Sequence, residues 1–370
     1  MANYRILAIN PGSTSTKVAV FDNDKEVFSQ NIAHKAEELA AFEHLTDQKP
    51  YRAKLIMEAL KENGVELRSL SAVVGRGGGL LATEGGVYKV DEMLLHHALI
   101  GANGVIHPAQ LGSLLADDIA REYNIPCFVV NPPDTDEYQP VSRMTGIKGV
   151  YRSCHLHALN LKETAIRHAE LTGKNYEDCN FVVCHIGGGV SISAHRKGKM
   201  IDGNDIIGGE GPMTPTRCGV VPAGAMIDLC YSGMSRKEAK ALCMKTGGFV
   251  SHLGTNDALE VTRRAAEGDK TAQLVWDTFK YQIVKEIGAM ACALGGRVDG
   301  ILLGGGIVHS KELVAYIEEN CGWIAPVTAY PGEFEMEAMA AGAVRALEGK
   351  ENIKTYTGKP AWDPKELGLT

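Results

Sequence analysis

No stretch of the 370 residues is densely basic, and the formal net charge is −7. The electrostatic footprint of a nucleic-acid binder is missing, so no nucleic-acid partner is expected. No apolar run approaches the roughly 18–20 residues that cross a bilayer. At the start of the chain only Ile6 to Ile9 is apolar before Asn10 and Pro11 interrupt it. That pattern reads as a strand entering a turn, not as a leader peptide, and no membrane partner is expected. Cys-x-x-Cys does not occur among the nine cysteines, which excludes the usual zinc and redox-pair spacings. Their odd number and irregular spacing suit free thiols in a reducing compartment, and the cytoplasm is the expected location. His-Glu-x-x-His, Gly-x-Gly-x-x-Gly and the Walker loop are absent as well, so a zinc hydrolase, a dinucleotide fold and a P-loop enzyme are all disfavoured. No low-complexity linker divides the chain.

What is present suits a two-domain globular enzyme. Apolar residues make up 45% of the chain, enough for two cores, and charged residues 22%. The opening alternates strand and turn. Ile6–Ile9 is apolar, Asn10-Pro11-Gly12 breaks it, Val18–Phe21 resumes it, and a third strand follows near Val27-Phe28. The design returns at Phe181–Cys184, with His185-Ile186-Gly187-Gly188-Gly189 as the break and Val190–Ala194 as the return. Asn10 to Gly12 and His185 to Gly187 have the same spacing, which reads as an internal duplication. A third glycine run, Gly304-Gly305-Gly306, follows the buried-strand pattern Ile301–Leu303, and Ser310 is a good N-cap for the next helix. Leu111 to Tyr123 reads as a helix that stops at Asn124, with a strand at Cys127–Val130. Met336, Met339, Ala340, Ala343, Val344 and Leu347 mark a final amphipathic helix that ends before Gly349. Beyond about Lys350 the chain turns polar and reads as a loosely packed tail. The expected division is 1–150 and 151–335, with the helix at about 336–350 returning to the first domain.

Three loops carry chemistry. In Asn10-Pro-Gly12-Ser13-Thr14-Ser15-Thr16-Lys17, glycine lets the backbone approach a ligand, hydroxyls donate, and a lysine adds charge. An ordinary Ser/Thr-rich hairpin has similar composition, but four hydroxyl residues leading into a lysine favour phosphate. Gly187-Gly188-Gly189 bares backbone in the same way, although a tight bend would do so too. Gly304–Gly306 could present a flat backbone face to an adenosine ring. Arg76, in Gly-Arg-Gly-Gly-Gly, and Arg217, in Thr-Pro-Thr-Arg-Cys-Gly, stand in tight-turn loops. Both could be solvated surface arginines; both also suit a bidentate grip on carboxylate or phosphoryl oxygens. Singly, His107, His157 and His185 are more often structural than catalytic.

Ile9-Asn-Pro-Gly-Ser-Thr-Ser-Thr-Lys17 and Val183-Cys-His-Ile-Gly-Gly-Gly-Val-Ser191, with Leu302-Leu-Gly-Gly-Gly-Ile-Val308, resemble the nucleotide loops of acetate and butyrate kinases. These belong to the acetate and sugar kinase, heat-shock protein and actin superfamily. The short Gly-Arg-Gly-Gly at 75–78 and the chain length point to the butyrate-kinase branch. The resemblance runs from the first strand to the final helix. It implies two ribonuclease H-like (actin-like ATPase) α/β domains, each a mixed five-stranded sheet with flanking helices, and an active site in the cleft between them.

It also implies roles. Asn10, Gly12, Ser13, Thr14, Ser15 and Lys17 would meet phosphate, and His185 with Gly187–Gly189 would cradle it from a second loop. Asp257 and Gly304, Gly305, Gly306 and Ile307 would hold adenosine and ribose. Arg76 would bind the acyl carboxylate, with His107 lining the same place. His157 and Arg217 would stabilise the transferring phosphoryl group. Asn10 and Glu335 would organise Mg²⁺, Glu335 through water. The partners implied are a nucleotide (ATP/ADP), a small carboxylic acid and further copies of the chain in a homodimer or larger assembly. Two positions depart from the family pattern. Asn131 stands where an aspartate is usual, with Asp134 and Asp136 nearby, and Leu259 stands where an arginine is usual in Gly-Thr-Asn-Asp257-Ala-Leu.

The expected reaction is butanoate + ATP giving butanoyl phosphate + ADP, reversibly. Branched, acetate or propionate substrates are the near alternatives. A carboxylate is already ionised at neutral pH, so no general base is needed and Asn131 is tolerable. On that reading position 131 orients a metal-bound water. A sugar or polyol kinase of the same fold would need a carboxylate base, and a non-catalytic nucleotide switch would need a partner-binding addition for which this chain has no room.

Overall fold

The computed structural model describes residues 3–369. Twelve strands form two sheets: β1 (Arg5–Pro11), β2 (Ser15–Asp22), β3 (Lys25–Ala33), β4 (Ala72–Gly75), β5 (Val87–Lys89), β6 (Cys127–Val130), β7 (Asn180–Ile186), β8 (Val190–Arg196), β9 (Lys199–Gly203), β10 (Gly300–Gly305), β11 (Val327–Pro331) and β12 (Ile353–Thr355). The chain divides into two compact units. One comprises Met1–Asp136 with Phe334–Thr370, the other Glu137–Glu333. Residues 137–150 thus pack with the second unit.

In the first unit the sheet order is β12-β5-β6-β4-β1-β2-β3, and in the second it is β11-β10-β7-β8-β9. The antiparallel meander β1-β2-β3 has its counterpart in β7-β8-β9. The neighbours β4 and β6 run parallel as do β10 and β11. Five strands of each sheet therefore share one order and sense, as expected from the repeated strand–loop–strand pattern. The expected five strands are seven in the first unit. Two three-residue strands extend it, β5 antiparallel to β6 and β12 parallel to β5. These strands are too short to show an alternating pattern, so pairing rather than local sequence makes them.

The tail is likewise tied down, not loose. Tyr356 is buried, its hydroxyl accepts from Leu81 N at 2.9 Å, and it lies 2.8 Å from His97 Nδ1. Helices run where apolar periodicity predicts them. Leu111–Tyr123 ends on Asn124 in the left-handed conformation that asparagine tolerates. Lys311–Cys321 is capped by Ser310 Oγ accepting from Leu313 N. The last helix, Glu335–Leu347, buries Met336, Met339, Ala340 and Ala343. It packs on β1, β4 and β6 so closely that a Cβ on Gly342 would stand 2.5 Å from Val130 Cγ1.

Candidate active site

The first set of residues lies in the first unit. Asn10, next to last in β1, lies opposite Lys17 on β2, and the two therefore share a face of the ladder. Between the strands Gly12 N donates to Ser15 O at 2.7 Å, which closes a tight turn with Ser13 and Thr14 exposed at its tip. Arg76 follows β4. Its N–H continues the sheet by donating to Ile9 O at 3.0 Å, and Gly77, Gly78 and Gly79 then turn the chain with positive φ. The strand end lies so near the Leu111 helix that a Cβ on Gly75 would sit 2.2 Å from Gly112 O.

Three residues expected at the site come together here. Asn10 Nδ2 donates to Glu335 Oε2 at 2.8 Å, and Arg76 Nη2 is 3.7 Å from Glu335 Oε1. Glu335 comes from the first turn of the last helix, where a carboxylate is favoured by the helix dipole. The Arg76 guanidinium is buried, yet its remaining contact is a long 3.4 Å bond from Nη1 to Asn131 O. It is thus lightly held, with most of its fork unused. His107 caps the short helix at Pro108–Gln110 through Nδ1, which accepts from Ala109 N at 3.2 Å. Crowding by protein and then the Arg76 charge lower its pKa, with Glu335 opposing, so the ring is held neutral.

Asn131 is buried with φ at 38°, and its Oδ1 accepts from Gly86 N at 2.7 Å. That bond fixes the strand end. The neighbouring Asp134 accepts from Leu80 N and Asn103 Nδ2.

The second set lies in the second unit. His185 is next to last in β7 and is buried. Its ring stacks on that of His157 with centroids 4.2 Å apart, and its Nε2 is 3.7 Å from Glu333 Oε1. His157 precedes the Ala158–Leu171 helix and is oriented by Ser191, whose Oγ is 2.8 Å from Nδ1. The glycine loop turns through Gly187 N donating to Gly189 O at 3.0 Å. Thr214 and Thr216 hydroxyls both donate to Gly188 O, at 3.0 and 3.3 Å. Arg217 lies directly on this loop: a Cβ on Gly189 would stand 1.7 Å from its Nη1. Its Nε and Nη1 are buried without a hydrogen-bond partner among the described residues. Burial lowers its pKa, with Asp205 opposing. Unpaired buried donors of this kind are costly, and an anion on this loop would satisfy them.

The positions expected to hold a nucleoside are more open. Asp257 caps the Ala258–Ala266 helix by accepting from Leu259 N. Gly304 lies in β10, and Gly305, with φ at 98°, exchanges backbone bonds with Gly332. Gly306 is exposed, with nothing within 4 Å of where its Cβ would be, and Ile307 beside it is half-buried.

Glu333, Thr214, Thr216 and Ser191 stand among these residues without having been assigned a role from sequence. Ser191 and the two threonines lie within the quoted motifs, where their hydroxyls are the signal; Glu333 has none, being 148 residues from His185.

The family model described as the acetokinase family matches residues 135–320. A protein named "Probable butyrate kinase" from Clostridium botulinum (strain Eklund 17B / Type B) is 44% identical over 355 residues, 96% of this chain and 100% of that one. Its counterpart of the same name from strain Alaska E43 / Type E3 matches equally. The chain belongs to the acetokinase family.

Solved structures share the architecture of this chain. The Porphyromonas gingivalis acetate kinase superposes with a TM-score of 0.74 at 18% identity, covering 93% of this chain and 100% of that one. For a propionate kinase from Francisella tularensis subsp. tularensis SCHU S4 the figures are 0.70, 17%, 92% and 98%. At that identity the likeness carries the fold: the actin-like ATPase fold of two mixed sheets with flanking helices. No helix among the described residues is long and apolar enough to cross a membrane.

Proposed function

We propose that this member of the acetokinase family is a butyrate kinase, transferring the γ-phosphoryl group of ATP to butanoate by direct in-line attack, reversibly. The observation that carries the reading is Arg76. Among the described residues its buried guanidinium touches Asn131 O at 3.4 Å and Glu335 at 3.7 Å, so a fork is left for a carboxylate. The near-full-length likeness to relatives named butyrate kinases supports the choice of acid.

The acceptor arrives ionised, so the protein needs to align two anions and screen them. Two unit charges about 4 Å apart repel by ~4 kcal/mol at an effective dielectric of 20. Arg76 on the acyl side, with Lys17, and Arg217 on the Gly187–Gly189 loop offset that repulsion. His157, held by Ser191 and stacked on His185, stabilises the equatorial oxygens. His107, kept neutral, adds no charge beside Arg76. Asp257 and the Gly304–Ile307 segment hold the nucleoside.

Magnesium fits the donors present. It takes one or two carboxylates and completes its shell with water and substrate phosphates. Glu335 would supply the carboxylate, and because Asn10 donates to it through Nδ2, the Asn10 side-chain oxygen would remain for the ion. The ion would neutralise phosphate charge. An amide at 131 whose oxygen is tied to Gly86 supports a carboxylate acceptor over an alcohol, which would need a base. Nine free cysteines fit a cytoplasmic site of action, and the family resemblance supports a homodimer.

The test is ATP-dependent trapping by hydroxylamine, with acetate, propionate, butyrate, isobutyrate and glycerol offered in parallel. Butyryl hydroxamate should form fastest. The absence of hydroxamate with every acid would end the reading.

A further inference from the structure

Arg52 is a fully buried arginine that none of the motifs includes. It lies on the apolar stripe of the Lys49–Glu62 helix, in line with Ile56, Ala59 and Leu60. Its Nη1 donates to Gly12 O at 3.0 Å, to Ser15 O at 3.2 Å and to Thr16 Oγ1 at 3.0 Å. Gly12 and Ser15 are the two ends of the turn that carries Ser13 and Thr14. One guanidinium therefore clasps both ends of the first phosphate loop from beneath. Gln48, one helical turn earlier, holds the other side of the fork: its Oε1 accepts from Nε at 3.2 Å and from Nη2 at 2.9 Å. Thr16 Oγ1 lies 2.8 Å from His34 Nε2, and His34 N donates to Thr14 O at 2.8 Å.

Every oxygen that Arg52 meets among the described residues is neutral. A buried cation without a counter-charge costs several kcal/mol in an isolated protein. An anion seated on the turn would lift part of that cost, because the charge lies directly behind the backbone that the anion touches.

We propose that Arg52 is a positioning residue for phosphoryl transfer. It sets the shape of the Gly12–Ser15 turn and supplies the positive charge behind it. The substrate group it serves is a phosphate of the nucleotide, not the acyl carboxylate, which belongs to Arg76. The proposal rests on the kinase reading above for its rate measurements. Its binding measurement does not.

The experiment compares wild type, Arg52→Gln, Arg52→Lys and Gln48→Ala. Melting temperature is read with and without inorganic phosphate and MgATP, and steady-state rates are taken with ATP and butyrate varied in turn. Arg52→Gln should raise the KM for ATP about tenfold or more, the scale of one charge-assisted contact. The KM for butyrate should stay within about twofold, and the rise in melting temperature given by phosphate or ATP should shrink by at least about half. Arg52→Lys keeps the charge without the fork and should recover the melting shift more than the KM. Gln48→Ala, at a half-exposed position, should raise the ATP KM about threefold. If Arg52→Gln does not fold, Gln48→Ala decides. A folded variant with an unchanged KM for ATP, or with both KM values moving together, overturns the proposal. Wild type that makes no hydroxamate from butyrate overturns the butyrate reading instead, and the melting shifts then judge the clamp alone.

Discussion

Arg217 and Gly189 are one device at the scale of the residue. The glycine has no side chain because the guanidinium fills the place where one would be, 1.7 Å from Nη1. Gly189→Ala must push the arginine off the loop. The rate of acyl hydroxamate formation should fall by about 100-fold or more, the usual cost of losing one fixed transition-state donor. Calorimetry should show the melting temperature falling by only a few degrees.

His34 is a second case where a neighbour sets behaviour. Burial first, and then the Arg52 charge, lower its pKa to about 4, with Glu38 opposing. In the unfolded chain it titrates near 6.5. Folding therefore keeps it neutral where the unfolded chain takes up a proton. Its stabilisation is full above about pH 6.5 and falls away as the pH drops toward 4. Of order 2 kcal/mol should be lost over that window. Urea titrations from pH 7 to pH 4.5 should show it, with the slope reduced by about one proton in His34→Gln.

The two strand–loop–strand turns at Asn10–Lys17 and His185–Ser191 were legible because short runs of glycine and hydroxyl residues break the strand pattern there. Arg52 and Glu333 were not. Their places beside these loops arise from what the folded chain brings together, which no local pattern encodes.

At the scale of the element, the same contrast explains the tail. Helices such as Leu111–Tyr123 and Glu335–Leu347 match their periodic patterns because burying one face is what makes them helical. Ile353–Thr355 has no such pattern. It becomes a strand because β5 offers it an edge and because Tyr356 locks the register just beyond it. Removing that hydroxyl isolates the lock. Tyr356→Phe leaves the ring in place but strands Leu81 N and frees the His97 ring. Unfolding in urea should show a loss of about 1–2 kcal/mol. The repeated meander was also legible, since each copy breaks its alternation at a glycine loop. The parallel strands β4, β6, β10 and β11 are short buried runs whose partners lie far along the chain.

At the scale of the molecule the two units differ in how the chain builds them. Glu137–Glu333 is one continuous stretch with its own core, which includes Trp276, Phe279 and Phe249. The other unit joins residues from both ends. A fragment spanning 137–333 should therefore fold alone, with a cooperative urea transition and helical circular dichroism. A fragment ending at Asp136 should not. It lacks the helix that covers β1, β4 and β6, and added peptide 334–370 should restore the transition.

The origin of Glu335 gives that layout a further meaning. During synthesis Asn10 and Arg76 emerge early, and the glutamate that joins them comes only with the last tenth of the chain. A nascent chain held on a ribosome, or one released before residue 335, has the loops but not the carboxylate between them. Either chain leaves the Asn10 amide and the Arg76 guanidinium without the acid that both face in the finished fold.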